Sequence, residues 1–281
     1  MCPTEDKQAM HQQQIWNERY AASADRPAKP GTWNVVLETL MGRYSARNYL
    51  PDPVDDGDLK AIVAAAQSAS TSSNLQCCSI VVVRDPERKR RLAEMADNQA
   101  HILQAPLLLV FVADLSRLRQ LGVRHDLAVD GLDYLDSAVT AFVDAALAAQ
   151  NAVIAATSLG LGTCFVGAIR NRPTEVAREL TLPPEAVATF GVLVGKVDPA
   201  RKGHVKPRLP MEVVVHHEQY TAADEQTLAE YDDAMRHFNE VKARRSGDWS
   251  IKSIERVESP KALTGRDRLR EELLARGFML K

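Results

Sequence analysis

The sequence predicts an α/β (α+β) fold in which helices cover a mixed central sheet. Short apolar runs of strand length alternate with amphipathic helical patterns along the chain, which favours this layered arrangement. The longest apolar run, 105–113 (APLLLVFVA), has the length of a buried strand and is too short to span a bilayer. With 281 residues, the chain is long enough for one large domain or two small ones, with an ample core.

The first half of the chain begins with an arm and continues with alternating helices and strands. Residues 1–32 contain few apolar side chains, so we expect an arm that is flexible or wraps a partner subunit, with helical character near 14–22. We expect residues 33–281 to form a single domain. Its first predicted elements are the helix 34–41, a helix capped by Asp55 or Asp58 and ending near residue 68, the serine-rich loop 68–74, the strand 78–83, the helix 87–96 and the strand 107–113.

The longest helical pattern, 134–159, is rich in alanine and apolar around much of its circumference. Such a helix needs cover on several sides, and a partner subunit could supply part of it. We therefore infer a helix-mediated homodimer; the alternative is a central helix that its own chain surrounds. The remaining predicted elements are the strands 163–166, 188–197 and 211–216 and the helices 173–180, 224–241 and 266–276, the last two within a C-terminal helical extension that starts near residue 222.

Composition and charge argue against several classes of protein. The formal net charge of −2 gives no indication of nucleic acid or a membrane surface as a partner. The polar N-terminus lacks the apolar core of a secretory signal, so we expect a cytoplasmic protein. The four cysteines, at positions 2, 77, 78 and 164, show neither metal-ligand nor disulfide-framework spacing. We therefore expect no metal site.

Glycine motifs invite a nucleotide-binding interpretation, but their context does not support it. Gly160, Gly162 and Gly167 depart from dinucleotide spacing, because Phe165 stands where the third glycine belongs. They also follow a helix and precede a strand, which reverses the required order. Ala168 stands where a P-loop of this spacing needs its lysine. Motifs of zinc proteases, serine hydrolases and dithiol redox sites are absent from the sequence.

Two short basic clusters are the most informative polar features of the chain. In an extended segment Arg43, Ser45 and Arg47 share one side, and at a helix end the two arginines still share a face. Lys206 and Arg208 share one side of an extended segment in the same way. Four cations and a hydroxyl converging from distant segments would suit a dianionic phosphate, whereas the alternative is a pair of solvated surface runs. Together with the serine loop and the strand exit at 165–168, the clusters point to a phosphorylated planar ligand.

The order of five motifs resembles the FMN-dependent nitroreductase family, closest to its oxygen-insensitive NADPH nitroreductases and NADPH–flavin oxidoreductases. The motifs are RYSARNY, ASTSSNLQCCS, the pair Gln99-x-His101, SLGLGTCFVGAIRN and KPRLP. The similarity covers residues 34–231 and, more loosely, the tail. It implies a nitroreductase-like fold, an intertwined homodimer and one FMN per subunit at the dimer interface.

The resemblance also implies roles for individual residues. The basic clusters would hold the flavin phosphate and the N1/O2 edge of the ring, the serine loop would lie beside them, and the amide at the strand exit would point at flavin N5. The implied FMN-binding residues are Arg43, Tyr44, Ser45, Arg47, Thr71, Ser72, Ser73, Gln99, Val166, Gly167, Lys206 and Arg208. Tyr44 stands where the family commonly has arginine or histidine, so one phosphate contact is lost or the tyrosine hydroxyl replaces it. Lys242, Arg244 and Arg245 resemble a clamp for NADPH, or form a solvated helix end.

The activity that the resemblance implies is ping-pong, two-electron reduction of nitroaromatic or quinone-type acceptors by NADPH through bound FMN. No side chain is needed as a nucleophile or base. Two alternatives stay open: a flavin reductase that supplies reduced FMN to a partner enzyme, and a non-catalytic flavin-binding protein. The sequence leaves open the physiological acceptor, the NADPH-to-NADH preference and whether FMN is tightly held.

Overall fold

The computed structural model describes residues 3–21, 31–242 and 247–281. The helices in that part of the chain are α1 (Pro3–Arg19), α2 (Val35–Gly42), α3 (Asp56–Gln67), α4 (Pro86–Met95), α5 (Ala100–Gln104), α6 (Ser116–His125), α7 (Leu135–Ser158), α8 (Pro173–Glu179), α9 (Met211–Val214), α10 (Glu225–Val241), α11 (Trp249–Glu255) and α12 (Leu269–Ala275). The strands are β1 (Cys78–Val83), β2 (Leu107–Asp114), β3 (Gly162–Val166) and β4 (Ala186–Gly195).

The chain divides into two compact units. The helical unit comprises Met1–Tyr44 and His204–Leu263, and the sheet unit comprises Ser45–Gly203 and Thr264–Lys281. The division falls between Tyr44 and Ser45, inside residues 43–47 (RYSAR), here called the basic pentapeptide. The arm at 1–32 and the single domain at 33–281 stay predictions.

The sheet unit confirms the predicted α/β class. Its four strands lie in the order β1-β2-β4-β3, each pair antiparallel, and β2 is buried along its whole length. Phe111 lies opposite Phe190, and a bulge follows, because Thr189 has no partner residue on β2. The Thr189 hydroxyl donates to the Phe111 carbonyl at 2.7 Å and so satisfies a group within the bulge. A parallel contact joins Ser45 to Thr163 at the β3 edge.

Helix α7 packs against the sheet through small side chains. Ala145, Ala149 and Ala152 are buried in one cluster with Leu109 and Phe111 of β2. Alanine allows this close approach because it keeps the helix backbone near the strands. By length and composition α7 could also cross a membrane, but core helices of soluble proteins often have the same length and composition. Of the most apolar 18-residue stretch of α7, 44% is buried within the protein. Its opposite side carries exposed apolar residues at four-residue intervals: Leu135, Val139, Val143 and Leu147.

The last residues of the chain return to the sheet unit. Leu273 and Phe278 are buried in a cluster with Ala113, Leu115 and Val187. Gly277 has φ of +91°, as expected for a glycine that ends a helix. The ammonium group of Lys281 lies 2.8 Å from the Asp133 carboxylate, and the backbone N–H of Lys281 donates to the Asp133 carbonyl at 2.9 Å. The C-terminus is therefore fixed beside the start of α7.

Phe278→Leu is expected to lower the free energy of unfolding by about 1 kcal/mol, because an aliphatic side chain fills most but not all of the ring's volume. Urea unfolding with a common m-value would measure the change. Met279→Leu, at the exposed neighbouring residue, is the control and should change stability by less than about 0.5 kcal/mol. Equal losses in the two variants would contradict this placement of Phe278.

The prediction of a strand at 211–216 is wrong. Met211–Val214 forms one helical turn, in which Val215 N–H donates to the Met211 carbonyl at 2.7 Å. Val214 and Val215 are more than half exposed, so neither is buried against a sheet. The β-branched side chains predicted a strand, but strand propensity acts through packing that this segment does not have.

In the helical unit, α1 packs against the segment that leads into the basic pentapeptide. Ile15 and Trp16 are buried, and the Trp16 and Trp33 rings meet edge to face at 6.3 Å. A Cβ on Gly42 would lie 3.5 Å from the Ile15 side chain, which shows how closely α1 approaches the end of α2. The helix starts earlier than the pattern at 14–22 indicated.

Candidate functional site

The basic pentapeptide is extended in the structure. Asn34 caps α2 by accepting from two backbone N–H groups, and α2 ends before Arg43, whose φ and ψ are −68° and 148°. Ala46 N–H donates to the Thr163 carbonyl at 2.9 Å, which ties the segment to β3. Ala46 is buried, whereas Ser45 and Arg47 are exposed. Of the two backbone geometries considered for this segment, the extended one is observed.

Within the helical unit, Arg19 at the end of α1 joins both basic clusters. Its Nε donates to the Met41 carbonyl at 2.7 Å, its Nη1 donates to the Lys206 carbonyl at 3.2 Å, and its Nη2 donates to the Arg43 carbonyl. In return, Arg208 N–H donates to the Arg19 carbonyl at 2.9 Å. Sequence reasoning missed Arg19, because it belongs to the arm and to none of the motifs.

The charge around Arg19 favours an anion. Burial, and then the charges of Arg208 and Arg43, lower the pKa of Arg19 to about 10. The group is still protonated at neutral pH, so Arg43 and Arg208 each repel the Arg19 guanidinium there. A bound anion such as a phosphate would relieve this repulsion.

The Lys206–Arg208 segment is held on a second side by α10. The hydroxyl of the buried Tyr231 donates to the Pro207 carbonyl at 3.1 Å. Pro207 is buried while Lys206 and Arg208 are exposed. The backbone is thus anchored inward, and the Arg208 guanidinium turns back to donate to the Lys206 and Pro207 carbonyls, each at 3.4 Å.

A single carboxylate organises the serine loop. Asp144 of α7, 3% exposed, accepts from the Thr71 hydroxyl, from Ser72 N–H at 3.1 Å and from Cys77 N–H at 3.1 Å. The Thr71 hydroxyl also accepts from Gln76 N–H at 2.9 Å. Thr71 therefore shapes the loop from within, and Ser72 and Ser73 are left exposed. Asp144 was missed, although one acid in an otherwise apolar helix pattern is a usable signal.

The serine loop adopts backbone angles that side chains usually avoid. Ser73, Asn74 and Gln76 have φ between 47° and 56°. Such angles cost free energy outside glycine and persist where the surroundings impose them, as the Asp144 hydrogen bonds do here.

A cavity of about 640 Å³ lies next to this loop in the sheet unit. Its polar lining includes Thr71, Gln76, Ser79, Arg117 and Asp144. The Arg117 guanidinium donates to the Gln76 carbonyl at 2.7 Å and to the Ser79 hydroxyl at 2.9 Å. The volume lies within the range of small-molecule sites.

Gln99 lies at the start of α5, two residues before His101. Gln99 is the residue that precedes the helix, and His101 lies in its first turn. Burial, and then the charge of Arg47, lower the pKa of His101 from its ordinary value of 6.5. The structure therefore brings Arg47 of the first motif near the Gln99-x-His101 motif.

His101 is expected to titrate below 6.5 in the folded protein. Because its neutral form is favoured in the folded state, the stability it contributes is present above pH 6.5 and is lost as the pH falls through the folded-state pKa. NMR titration of the imidazole would measure this pKa. Arg47→Ala should raise it, since one of its two causes is removed, while Arg84→Ala should not. A pKa unmoved by Arg47→Ala would contradict the contact.

The strand exit at Gly167 is open. A Cβ built on Gly167 would meet the Arg170 side chain at 3.6 Å, an ordinary contact, so packing within the chain does not require glycine there. In contrast, a Cβ on Gly162 would lie 2.2 Å from the Val197 side chain and 2.7 Å from the Ala46 Cβ. Gly160 has φ of +77° and ends α7. Gly160 and Gly162 thus serve the fold, and Gly167 leaves space at the surface.

The residues proposed for NADPH lie at the end of α10. Lys242 caps that helix and is exposed, while Arg244 and Arg245 lie outside the described residues. Beyond them, Ser250 N–H donates to the Asp232 carboxylate at 2.8 Å, which attaches the returning chain to α10.

The described residues contain no cluster of side chains suited to a metal ion. Cys77, Cys78 and Cys164 are free thiols. Burial, with the Asp144 charge next, raises the pKa of Cys77 to about 11 and that of Cys78 to about 12, so neither is a reactive thiolate at neutral pH.

Comparison with known proteins identifies a single family along the chain. The model of the nitroreductase family matches residues 40–196, and the model of that family's C-terminal domain matches residues 206–281. The oxygen-insensitive NADPH nitroreductase of Salmonella typhimurium is 39% identical over 72% of this chain and 82% of its own length. An FMN reductase [NAD(P)H] of Bacillus subtilis is 37% identical over 77% of this chain and 88% of its own. Among solved structures, the NADPH:FMN oxidoreductase of Vibrio harveyi complexed with NAD+ superposes with a TM-score of 0.78, 31% identity and coverage of 88% of this chain and 100% of that chain.

Proposed function

Because the chain belongs to the nitroreductase family, we propose that it is an FMN-dependent NAD(P)H oxidoreductase. It reduces nitroaromatic or quinone-type acceptors by two electrons, with NADPH and the acceptor binding in turn. The observation that carries this function is the joining of the two basic clusters by Arg19, which donates to the Arg43 and Lys206 carbonyls and so gathers positive charge suited to an anionic group. Similar proteins named NADPH nitroreductase, FMN reductase and NADPH-flavin oxidoreductase support it.

We assign the FMN-binding roles to the residues that the sequence motifs indicated. Arg43, Lys206 and Arg208 would balance the phosphate. Tyr44, Ser45 and Arg47, from the same motif as Arg43, would also bind FMN. The exposed Ser72 and Ser73, on the loop that Thr71 braces, would add hydroxyl donors, and Gln99 would add an amide. Val166 and Gly167 would let the backbone lie against a flat ring. Bound FMN would supply the two-electron carrier between NADPH and the acceptor.

We place NADPH near Lys242, Arg244 and Arg245, whose positive charge suits a second phosphate monoester. The preference for NADPH is supported by relatives that carry NADPH in their names. We expect no side chain to act as a nucleophile or base. The chain's contribution is binding and orientation.

We further propose that the enzyme is a cytoplasmic homodimer without nucleic-acid or membrane partners. The exposed stripe of α7 (Leu135, Val139, Val143 and Leu147) is the surface we assign to the second copy. A stripe of this kind on a helix whose other side is packed is typical of subunit interfaces. Gel filtration with light scattering tests it: a dimer that Val143→Glu converts to monomer would support the assignment.

The absorption spectrum of the purified protein tests the function. A bound-flavin spectrum that bleaches anaerobically after one equivalent of NADPH is the expected result. Flavin that stays oxidised with both NADPH and NADH would favour the non-catalytic flavin-binding protein. Flavin lost on gel filtration would favour the flavin reductase that supplies a partner enzyme.

Arg208→Ala is expected to weaken FMN binding about tenfold or more, because a hydrogen bond to a charged group contributes about 1.5–3 kcal/mol. Flavin retained after gel filtration measures the effect. Arg201→Ala is the matched control, since Arg201 is an exposed arginine paired with Asp198. Full flavin content and full rate in Arg208→Ala would show that Arg208 is wrongly placed.

A further inference from the structure

Helix α1 precedes the segment that the family model matches, which begins at residue 40. It is nevertheless joined to both basic clusters of the proposed cofactor site. The connection is made by Arg19, 7% exposed, which donates to one carbonyl in each cluster, those of Arg43 and Lys206, and to the Met41 carbonyl in α2. The family resemblance gives no role to this helix.

The hydrogen bonds of Arg19 fix two segments that are distant in sequence. The carbonyl of Lys206, to which Arg19 donates, is 187 residues away along the chain, and that of Arg43 is 24 residues away. The planar guanidinium has donors in a rigid fork, so the carbonyls it binds are held at set distances from one another. Because Arg208 N–H also donates to the Arg19 carbonyl, the backbone on both sides of Pro207 is fixed.

The same residue adds a buried positive charge. None of the ion pairs between described residues includes Arg19, so backbone carbonyl dipoles supply its hydrogen bonds. Arg43 and Arg208 are close enough to act on its charge. A desolvated cation beside two others is costly unless an anion shares the site.

We propose that Arg19 makes α1 a built-in part of the enzyme's phosphate site, as a positioning residue that holds Arg43, Lys206 and Arg208 for a phosphate monoester. This inference rests on the proposed function. FMN and NADPH each carry a phosphate monoester, and the experiment distinguishes the two sources.

The test compares ligands with and without the phosphate. Apoprotein of the full chain is titrated with FMN and with riboflavin, which lacks the phosphate, and the quenching of flavin fluorescence gives each Kd. Arg19→Met is expected to raise the Kd for FMN about tenfold, the loss of roughly one charge-assisted interaction, and to leave the Kd for riboflavin within twofold. The ratio of the two constants separates a phosphate effect from a general loss of structure.

The second arm uses the flavin-saturated enzyme with NADPH and NADH. If Arg19 serves the phosphate of NADPH instead, Arg19→Met changes the ratio of the two KM values and leaves the FMN-to-riboflavin ratio as it was. Either selective change supports the proposal and identifies the source. Equal weakening of all ligands, or no weakening, would overturn it.

Arg276→Met is the matched control. Arg276 lies at the end of α12 and also donates to backbone carbonyls, those of Leu182 at 2.9 Å, Ala186 at 3.4 Å and Pro183, and burial lowers its pKa. It touches none of the proposed cofactor segments, so its loss should leave both ratios unchanged. A shift as large as that of Arg19→Met would count against a specific role.

Arg19→Lys provides a variant with the charge retained. A single ammonium cannot reproduce the fork to three carbonyls, so the FMN Kd should lie between those of the wild type and Arg19→Met. Should Arg19→Met fail to fold by circular dichroism, the same ratios measured on Arg19→Lys decide the matter. If the wild-type protein binds neither FMN nor riboflavin, the proposed function is overturned. If the wild type binds FMN but the Arg19 variants leave the FMN-to-riboflavin Kd ratio and the NADPH-to-NADH KM ratio unchanged, only this inference is overturned.

Discussion

Asp144→Ala is expected to lower the free energy of unfolding by roughly 3 kcal/mol or more, because it leaves buried donors without acceptors. Two of these donors, Ser72 N–H and Cys77 N–H, are backbone groups, and the third is the Thr71 hydroxyl. The loop then loses the contacts that impose the positive φ angles of its residues. Misplacement of the exposed Ser72 and Ser73 should lower kcat/KM on the order of a hundredfold.

Asp144→Asn sharpens this prediction. An amide keeps one acceptor but places an NH₂ group against a donor, so this variant should also lose stability, though less than alanine. Asp136→Asn is the control, since Asp136 is an exposed acid on the same helix and should change stability by less than about 1 kcal/mol. Urea unfolding and steady-state kinetics measure both effects. Full activity in Asp144→Ala would show that the loop does not contribute to the site.

Gly167→Ala and Gly162→Ala are expected to have opposite effects. The first should leave stability within about 0.5 kcal/mol of the wild type, because its methyl group makes ordinary contacts. It should weaken FMN binding by about 1–3 kcal/mol, because a methyl group would occupy the space proposed for the flavin ring. The second should destabilise the fold by about 1–3 kcal/mol, because its methyl group overlaps Val197 and Ala46.

Thermal unfolding and FMN titration of the two variants form one experiment. The Gly162→Ala protein that does fold should bind FMN as the wild type does, since Gly162 is assigned to packing. Tight FMN binding by Gly167→Ala would move the proposed ring position away from the strand exit. A loss of stability in Gly167→Ala would show that Gly167 is needed for packing within the chain.

Much of the fold could be predicted from the sequence because local signals and tertiary packing agree. Asp55 and Asp224 cap the helices that they were expected to start, and the apolar runs became buried strands. The strand prediction at 211–216 was wrong for the opposite reason. Three consecutive valines favour a strand, but no neighbouring strand among the described residues pairs with this segment. The order of the strands could not be predicted from the sequence, because the antiparallel pairing of β2 with β4 depends on contacts between distant segments.

The candidate site was predictable only where it uses short motifs. Arg43, Lys206 and Arg208 stand out as polar clusters, so their composition is visible in the sequence. Arg19 and Asp144 act on backbone groups of other segments, and such contacts leave no spacing pattern. The glycine motif was not interpreted as a nucleotide site because its order of helix and strand is reversed. In the structure Gly160 ends a helix and Gly162 permits close packing.

The docked C-terminus has a practical consequence for protein engineering. Lys281 already uses its backbone N–H, its carbonyl and its ammonium group, the carbonyl accepting from Leu135 N–H at 3.2 Å at the first turn of α7. A purification tag or fusion partner attached to Lys281 would begin beside the first turn of α7, next to Leu135 of the stripe assigned to the second subunit. A short polar spacer after Lys281 is therefore the minimum that a fusion at this residue requires.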